Sequence, residues 1–211
     1  MNYDLYIITD QKISHGKSHL EVAEAALAGG ATVIQFRDKE MKDSEAVVAC
    51  RGIYKLTKKK GVFFIVNDRV EIAKAVDAEG VHLGQEDMSF SSARKILGKE
   101  KIIGISVETV EQALKAAEGG VDYLGVGPIY PTTTKPDAGS ALGISRLKEI
   151  KNSVNIPIVA IGGINENNLE EVLRAGADGV AVISAVVSAS DITQACRKLK
   201  NKIEYIKKRK A

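Results

Sequence analysis

The chain has 211 residues, 45% hydrophobic and 27% charged, which is enough to bury one full core and excludes a disordered or fibrous polymer. Its net charge of +3 rests on Lys207, Lys208, Arg209 and Lys210. Taking those four away leaves −1, so no basic face for nucleic acid is expected, only a basic tail over 207–211, read as frayed and solvated. No apolar run approaches the roughly 18 residues that cross a membrane, and Met1-Asn2-Tyr3-Asp4 opens no secretory pattern. Cys50 and Cys196 stand far apart in helix-like segments, which suits buried free thiols and a cytoplasmic location.

The first apolar strand is expected over 5–8. Thr9-Asp10-Gln11-Lys12 follows it, without the glycine fingerprint that opens a nucleotide-binding open sheet. A helix over 20–28 then runs into Gly29-Gly30 and a strand over 33–36. The same phrase of helix end, glycine cap in the left-handed region and short apolar strand returns at Ala116-Ala117-Glu118-Gly119-Gly120 before 123–126. It returns again at Leu173-Arg174-Ala175-Gly176 before 179–182, and more loosely over 75–83. The repeat is about 25 residues, one βα unit. Further helices are expected over 44–58, 110–118 and 169–174, and further strands over 63–66, 80–83, 102–105 and 158–161. The strands are near-continuous in Val, Ile and Leu, as strands buried on both faces are. Their alternation with helices predicts an α/β chain forming a single (β/α)8 TIM barrel over 1–211, with an open doubly wound sheet as the alternative.

In such a barrel the chemistry lies at the carboxyl ends of the strands. After the second strand, Gln35, Arg37 and Lys39 share one side by alternation, while Phe36 and Asp38 take the other. Arg37 and Lys39 either serve an anion or pair with neighbouring carboxylates. Asn67-Asp68 follows the third strand and Gly84-Gln85-Glu86-Asp87-Met88 the fourth. Adjacent strands lie about 4.8 Å apart, so Asp68 and Asp87 can converge on one point. Such a pair suits Mg2+ completed by phosphate oxygens, with Glu86 pointing away. The alternatives are a helix N-cap for Asp68 and a turn or cap residue for Asp87.

After the fifth strand comes Ser106, with Thr109 at a capping position and no His or Lys beside Ser106 to make it a nucleophile. The sixth strand runs into Gly125-Val126-Gly127-Pro128-Ile129-Tyr130-Pro131-Thr132-Thr133-Thr134-Lys135. Its prolines stiffen the loop, and Gly125 and Gly127 allow close approach of whatever lies above. Hydroxyls and a cation on such a loop suit a phosphorylated small molecule; a plain structural turn is the alternative. Gly162-Gly163 after the seventh strand caps no helix. Ile183-Ser184 after the eighth opens a short extra helix, and these two loops form the usual phosphate cradle of the fold. His15, His19 and His82 have no metal-ligand spacing and are set aside.

The ring thus divides into cations and carboxylates on strands 2 to 5 and neutral donors on strands 6 to 8. That division suits two substrates, one a diphosphate and one a monophosphate.

With Gln35-Phe36-Arg37-Asp38-Lys39, Val66-Asn67-Asp68, His82 to Met88, Gly104-Ile105-Ser106, Gly125 to Lys135, Ile161-Gly162-Gly163-Ile164 and Val182-Ile183-Ser184 in register, the chain resembles the thiamine phosphate synthase family along its whole length. The resemblance implies a transferase that joins 4-amino-5-hydroxymethyl-2-methylpyrimidine diphosphate to 4-methyl-5-(2-phosphoethyl)thiazole or its carboxylated form. It implies Gln35, Arg37, Lys39, Asn67, Ser106 and Lys135 on the pyrimidine diphosphate, with Arg37, Lys39, Ser106 and Lys135 catalytic. Asp68 and Asp87 hold Mg2+, and Thr132, Thr134, Gly162, Gly163, Ile183 and Ser184 hold the thiazole phosphate. Its partners are then two small molecules, with no nucleic acid or membrane, and a homo-oligomer is compatible with it.

Two positions depart from the family's wording. Glu108 stands where relatives often carry His, and 136–141 is unusual and expected to be a mobile flap. The alternatives are a thiazole tautomerase of the same family, which would want that His, and a non-catalytic thiazole phosphate regulator, which would not need Asp68, Asp87 or Lys39. A sugar-phosphate isomerase is a third; it would want a paired acid and base.

Overall fold

The computed structural model describes residues 1–134 and 139–209. Strands and helices alternate as β1 (Leu5–Ile8), α1 (His19–Ala28), β2 (Val33–Phe36), α2 (Asp43–Lys60), β3 (Phe63–Asn67), α3 (Val70–Ala75), β4 (Gly80–Leu83), α4 (Phe90–Leu97) and β5 (Ile102–Val107). The series continues as α5 (Val110–Gly119), β6 (Tyr123–Val126), α6 (Gly143–Ser153), β7 (Ile158–Ile161), α7 (Leu169–Arg174), β8 (Gly179–Val182), α8 (Ser184–Val187) and α9 (Ile192–Lys208). Each strand pairs in parallel with the next, and β8 returns to β1 through Tyr6 beside Ala181 and Ile7 beside Val182. That closing pair makes the (β/α)8 barrel and excludes the open sheet. Two strands run further than their apolar cores. β3 takes in Asn67, and β5 reaches Val107, so Ser106 is paired with Gly125 inside the ladder and is no loop residue.

Alternation divides the strand residues between two cores. Ile7, Ile34, Phe64, Val81, Ile103 and Leu124 face outward and are buried under the helices, each such side chain stabilising the fold by about 1.5–3 kcal/mol. Tyr3, Tyr6, Ile8, Val33, Ile65, Tyr123, Val159 and Ala181 fill the barrel interior. Three tyrosines there need room, and glycines on the neighbouring strands provide it. A Cβ on Gly104 would lie 2.1 Å from Tyr123 Cζ, and one on Gly125 would lie 2.8 Å from His82 Cε1. Gly125 and Gly127 were expected to admit a ligand. Gly125 makes room for His82, and Gly127 for the Ile161 carbonyl, 2.2 Å from the place of its Cβ.

The helix ends follow the repeated phrase with shifts of one residue. Gly120 caps α5 in the left-handed region, but the Gly29 cap of α1 is right-handed, and Gly30 takes the positive φ. The cap of α7 is Ala175, with Gly176 next at φ 108°. Thr109 caps α5 in a capping box with Gln112, as its position predicts. Cys50 and Cys196 are buried free thiols, each pushed up to about 12 by burial.

The tail corrects its expectation. α9 carries Lys207, whose Nζ donates to Asp4 Oδ1 at 2.5 Å and to the Asp178 carbonyl at 2.6 Å, so this lysine is anchored across the barrel's amino-terminal end. Lys210 and Ala211 lie outside the described residues.

Candidate active site

One pocket opens at the carboxyl ends of the strands, and every strand contributes to its wall. Gln35, Arg37, Lys39, Asn67, Asp68, Asp87, Ser106, Thr132, Thr134, Gly162, Gly163, Ile183 and Ser184 all line it. Lys135 and residues 136–138 of the expected flap lie outside the described residues.

At β2 the pleat turns Gln35 inward, where it is buried, and its Nε2 donates to the Tyr6 hydroxyl at 2.8 Å. Arg37, on the same side and above it, reaches Asp10 Oδ2 at 3.4 Å. One of the two pairings weighed for Arg37 is thus present, with Asp10 supplied by the loop after β1. Phe36 and Asp38 take the opposite side. Asp38 accepts from the Glu40 and Met41 amides and lies 3.1 Å from His19 Nε2.

The chain turns sharply after β3. Asp68 sits at φ 61°, its amide donates to the His82 carbonyl at 2.9 Å, and Val70 donates to the Asp68 carbonyl at 3.1 Å. α3 takes Arg69 as its N-cap without a side-chain bond, so the Asp68 carboxyl is not a cap. It points instead to Asp87. Asp87 is held by the Gly84 amide, which donates to its Oδ2 at 2.7 Å, while Ser89 caps α4. Burial pushes the Asp68 carboxyl up to about 7. A hydrogen bond with Asp87 and the charge of Asp87 add to the rise, and Lys39 and Arg37 oppose it. A carboxyl pushed up in part by a second carboxylate, with two cations opposing, marks a place that lacks positive charge at its centre. Among the described residues no group of three or more His, Cys, Asp or Glu gathers as a metal site. The pair could hold a hard divalent cation only with water and substrate oxygens completing the shell, which is the usual habit of Mg2+. Glu86 is exposed and does not line the pocket.

The opposite wall is uncharged. Thr134 Oγ1 donates to Ser184 Oγ at 3.2 Å, and the Thr134 amide donates to Thr132 Oγ1 at 3.3 Å. Ser184 opens the four-residue α8. Gly162 and Gly163 both have positive φ, and a Cβ on either would collide with the loop after β6. Gly162 would meet Pro128 Cα at 2.5 Å, and Gly163 would meet the Pro131 carbonyl at 2.7 Å. This glycine pair, expected for its amides, also sets the height at which Thr132 and Thr134 stand.

Among the wall residues that escaped the sequence are Tyr6, His82 and Tyr123. The expectation that no histidine stands beside Ser106 is overturned, because His82 Nε2 lies 2.9 Å from Ser106 Oγ and His82 Nδ1 2.9 Å from the Tyr123 hydroxyl. Parity could have found it. His82 lies two residues before Gly84 and, like Gln35 and Ser106, occupies an inward position of its strand. Glu108, set apart as a departure, lines the pocket next to Ser106 and is exposed.

The sequence model described as thiamine monophosphate synthase matches residues 5–186. The thiamine-phosphate synthase of Chloroflexus aurantiacus is 50% identical over 200 residues, covering 95% of this chain and 92% of that one. That of Methanospirillum hungatei is 52% identical over 198 residues, covering 94% and 96%. The solved thiamine phosphate pyrophosphorylase from Pyrococcus furiosus superposes with a TM-score of 0.91 at 44% identity, covering 97% of each chain.

Proposed function

The chain belongs to the thiamine monophosphate synthase family and is a transferase that makes thiamine phosphate; we propose that it does so by joining 4-amino-5-hydroxymethyl-2-methylpyrimidine diphosphate to 4-methyl-5-(2-phosphoethyl)thiazole or its carboxylated form, with release of pyrophosphate and, from the carboxylated form, of carbon dioxide as well. The observation that carries this reading is the divided pocket wall. Asp68, Asp87, Arg37 and Lys39 line one half, and the hydroxyls of Thr132, Thr134 and Ser184 line the other.

In this reaction the bond from the pyrimidine methylene to the diphosphate oxygen breaks, and its electron pair leaves with the diphosphate. The thiazole nitrogen then gives its lone pair to the methylene carbon. The 4-amino group stabilises the intervening cation through the ring, so the protein needs no nucleophile. Its task is to stabilise the leaving anion and hold the second ring in line.

Asp68 and Asp87 fit Mg2+, because they are two hard oxygen donors lining one side of the pocket, and Asp87 helps to push the Asp68 carboxyl up. Bound there, the ion supplies positive charge to the diphosphate oxygens as the bond breaks. Arg37 and Lys39 add fixed positive charge on the same side, and Asn67 and Ser106 offer hydrogen-bond donors. Gln35 meets the pyrimidine ring. On the other wall, Thr132, Thr134, Ser184 and the backbone at Gly162, Gly163 and Ile183 hold the thiazole phosphate without bringing charge near the cation. Lys135 is assigned to the diphosphate. The partners are then two small molecules. Two buried reduced thiols, Cys50 and Cys196, suit a cytoplasmic setting.

The test mixes both ring substrates with Mg2+ and follows thiamine phosphate and pyrophosphate. Equal amounts of the two products are expected. Absence of both, with the fold intact by circular dichroism, would overturn the substrate assignment.

A further inference from the structure

A single file of hydrogen bonds crosses the barrel interior at the floor of the pocket, and all five of its members line it. Gln35 Nε2 donates to the Tyr6 hydroxyl at 2.8 Å, and the Tyr6 and Tyr123 hydroxyls lie 2.9 Å apart. The Tyr123 hydroxyl lies 2.9 Å from His82 Nδ1, and His82 Nε2 lies 2.9 Å from Ser106 Oγ. The file joins β2 to β5 through β1, β6 and β4, and both of its ends, Gln35 and Ser106, line the pocket.

Proton counting gives the file a direction. Burial raises both Tyr6 and Tyr123, so each phenol keeps its one proton. Tyr6 accepts from Gln35 and so donates to Tyr123, and Tyr123 in turn donates to His82 Nδ1. A neutral imidazole that accepts at Nδ1 carries its proton on Nε2 and donates it to Ser106 Oγ. The Ser106 proton is then directed away from His82, into the pocket, and the Gln35 carbonyl oxygen faces the pocket at the other end. Turning the Gln35 amide over reverses every bond. Tyr6 then donates to Gln35, Tyr123 to Tyr6, His82 Nδ1 to Tyr123 and Ser106 to His82. A reversal partway along sets two donors or two acceptors against each other, which low dielectric makes costly. The file therefore has two states; between them the hydroxyls rotate and the half-buried imidazole gives up its Nε2 proton to pocket water and takes one from it at Nδ1.

We propose that Tyr6, Tyr123 and His82 are positioning residues that couple the Gln35 amide to the Ser106 hydroxyl, so that a pyrimidine offering an amino donor to Gln35 fixes Ser106 as a hydrogen-bond donor to the departing diphosphate. The proposal rests on the reading of Gln35 and Ser106 as contacts of the pyrimidine diphosphate. A pyrimidine with an oxo group in place of the amino group offers an acceptor. It draws the Gln35 NH2 toward itself, reverses the file and turns the Ser106 proton onto His82. Selection of the amino substrate is thus exerted on the chemical step as well as on binding. In neither state does His82 need to act as a base toward substrate.

Two measurements test this. In the first, kcat and KM are compared for the 4-amino and 4-oxo pyrimidine diphosphates in the unaltered protein and in Tyr123→Phe, which deletes one oxygen from the middle of the file. The preference for the amino substrate in kcat/KM is expected to fall about 10-fold, the worth of one buried hydrogen bond. Much of that fall should lie in kcat, and the thiazole phosphate KM should stay unchanged. An unchanged preference overturns the coupling. In the second, 15N spectra of the histidine-labelled protein are recorded with the amino and oxo pyrimidine monophosphates bound, His82 being assigned through its loss in His82→Gln. Only three histidines contribute. A protonated Nε2 is expected with the amino ligand and a protonated Nδ1 with the oxo ligand; the same tautomer in both overturns the proposal. Should Tyr123→Phe fail to fold, Tyr6→Phe and the spectra of the unaltered protein decide. If the unaltered protein makes no thiamine phosphate from the amino substrate, the substrate assignment fails. If it does so and the preference survives Tyr123→Phe, only the coupling fails.

Discussion

Asp68 and Asp87 leave the ends of adjacent strands to line one pocket with Arg37 and Lys39, and Asp87 helps to push the Asp68 carboxyl up. The folded state holds the Asp68 proton up to about 7 against an ordinary 3.8, with burial the largest cause and Asp87 the next. Between about pH 4 and pH 7 the folded state therefore binds more protons than the unfolded one, and stability falls as pH rises through that window. A divalent cation at the pair reverses this by favouring the ionised form. The midpoint of thermal unfolding is expected to rise with added Mg2+ at pH 8 and scarcely at pH 5.5, and chelation should abolish turnover. Asp68→Asn should lose both the Mg2+ shift and the turnover. A Mg2+ shift in that variant as large as in the parent would count against the pair as the site.

The division of the pocket makes the two walls separable by kinetics. Thr134→Val keeps the shape of its side chain and removes the hydroxyl that bonds Ser184. The KM for thiazole phosphate should rise about 10-fold, as for one hydrogen bond to a charged group, with the pyrimidine KM nearly unchanged. Arg37→Gln should do the reverse and lower kcat. If either variant moves both KM values together, the pocket is not divided as described.

Gly163 lies under the loop that carries Thr132 and Thr134. Its φ is 64°, and an added Cβ would lie 2.7 Å from the Pro131 carbonyl and from Tyr130 Cβ. Gly163→Ala must strain the backbone or push that loop upward. About 1–3 kcal/mol of destabilisation is expected from the left-handed position and the contact, together with a raised KM for thiazole phosphate. Chemical denaturation and bisubstrate kinetics on one preparation measure both. A variant as stable as the parent would mean that the loop yields without cost.

The barrel was legible because four of the eight βα units repeat one phrase, and apolar runs of Val, Ile and Leu show where a strand is covered on both faces. Gln35, Arg37 and Lys39 were legible for a related reason: alternating polar residues just past an apolar run have no purpose in a core. His82 and Ser106 lie within the ladder, where a polar side chain looks like a single exception. What makes them a site is Tyr123, brought alongside from β6 by barrel closure across the interior. No periodicity along one strand reports a contact across the lumen. Gly125, which does line the pocket, has a second purpose that was hidden for a similar reason, since the His82 side chain needs the space beside it.

The basic end of the chain gives the last prediction. Lys207 Nζ and Lys200 Nζ meet the mostly buried Asp4 carboxylate at 2.5 and 2.8 Å, tying α9 to the residue before β1. Burial alone would raise the Asp4 pKa, but the hydrogen bonds and charges of the two lysines outweigh it and hold the carboxyl below its ordinary value. A carboxylate lowered in this way stabilises the fold above its unfolded pKa, and the contribution is lost as pH falls through the folded one. Lys207→Ala leaves Lys200 in place and should cost about 1 kcal/mol at pH 7, a fall of about 2–4 °C in the melting temperature for a chain of this size. The gap between parent and variant should narrow as the pH is taken well below about 4, where Asp4 becomes protonated in both and only the Lys207 bond to the Asp178 carbonyl still separates them. Activity at 25 °C should be unaffected, because Asp4 lies at the opposite end of the barrel from the pocket. A variant that melts with the parent at pH 7 would mean that the lysine is as loosely held as its place near the chain terminus first suggests.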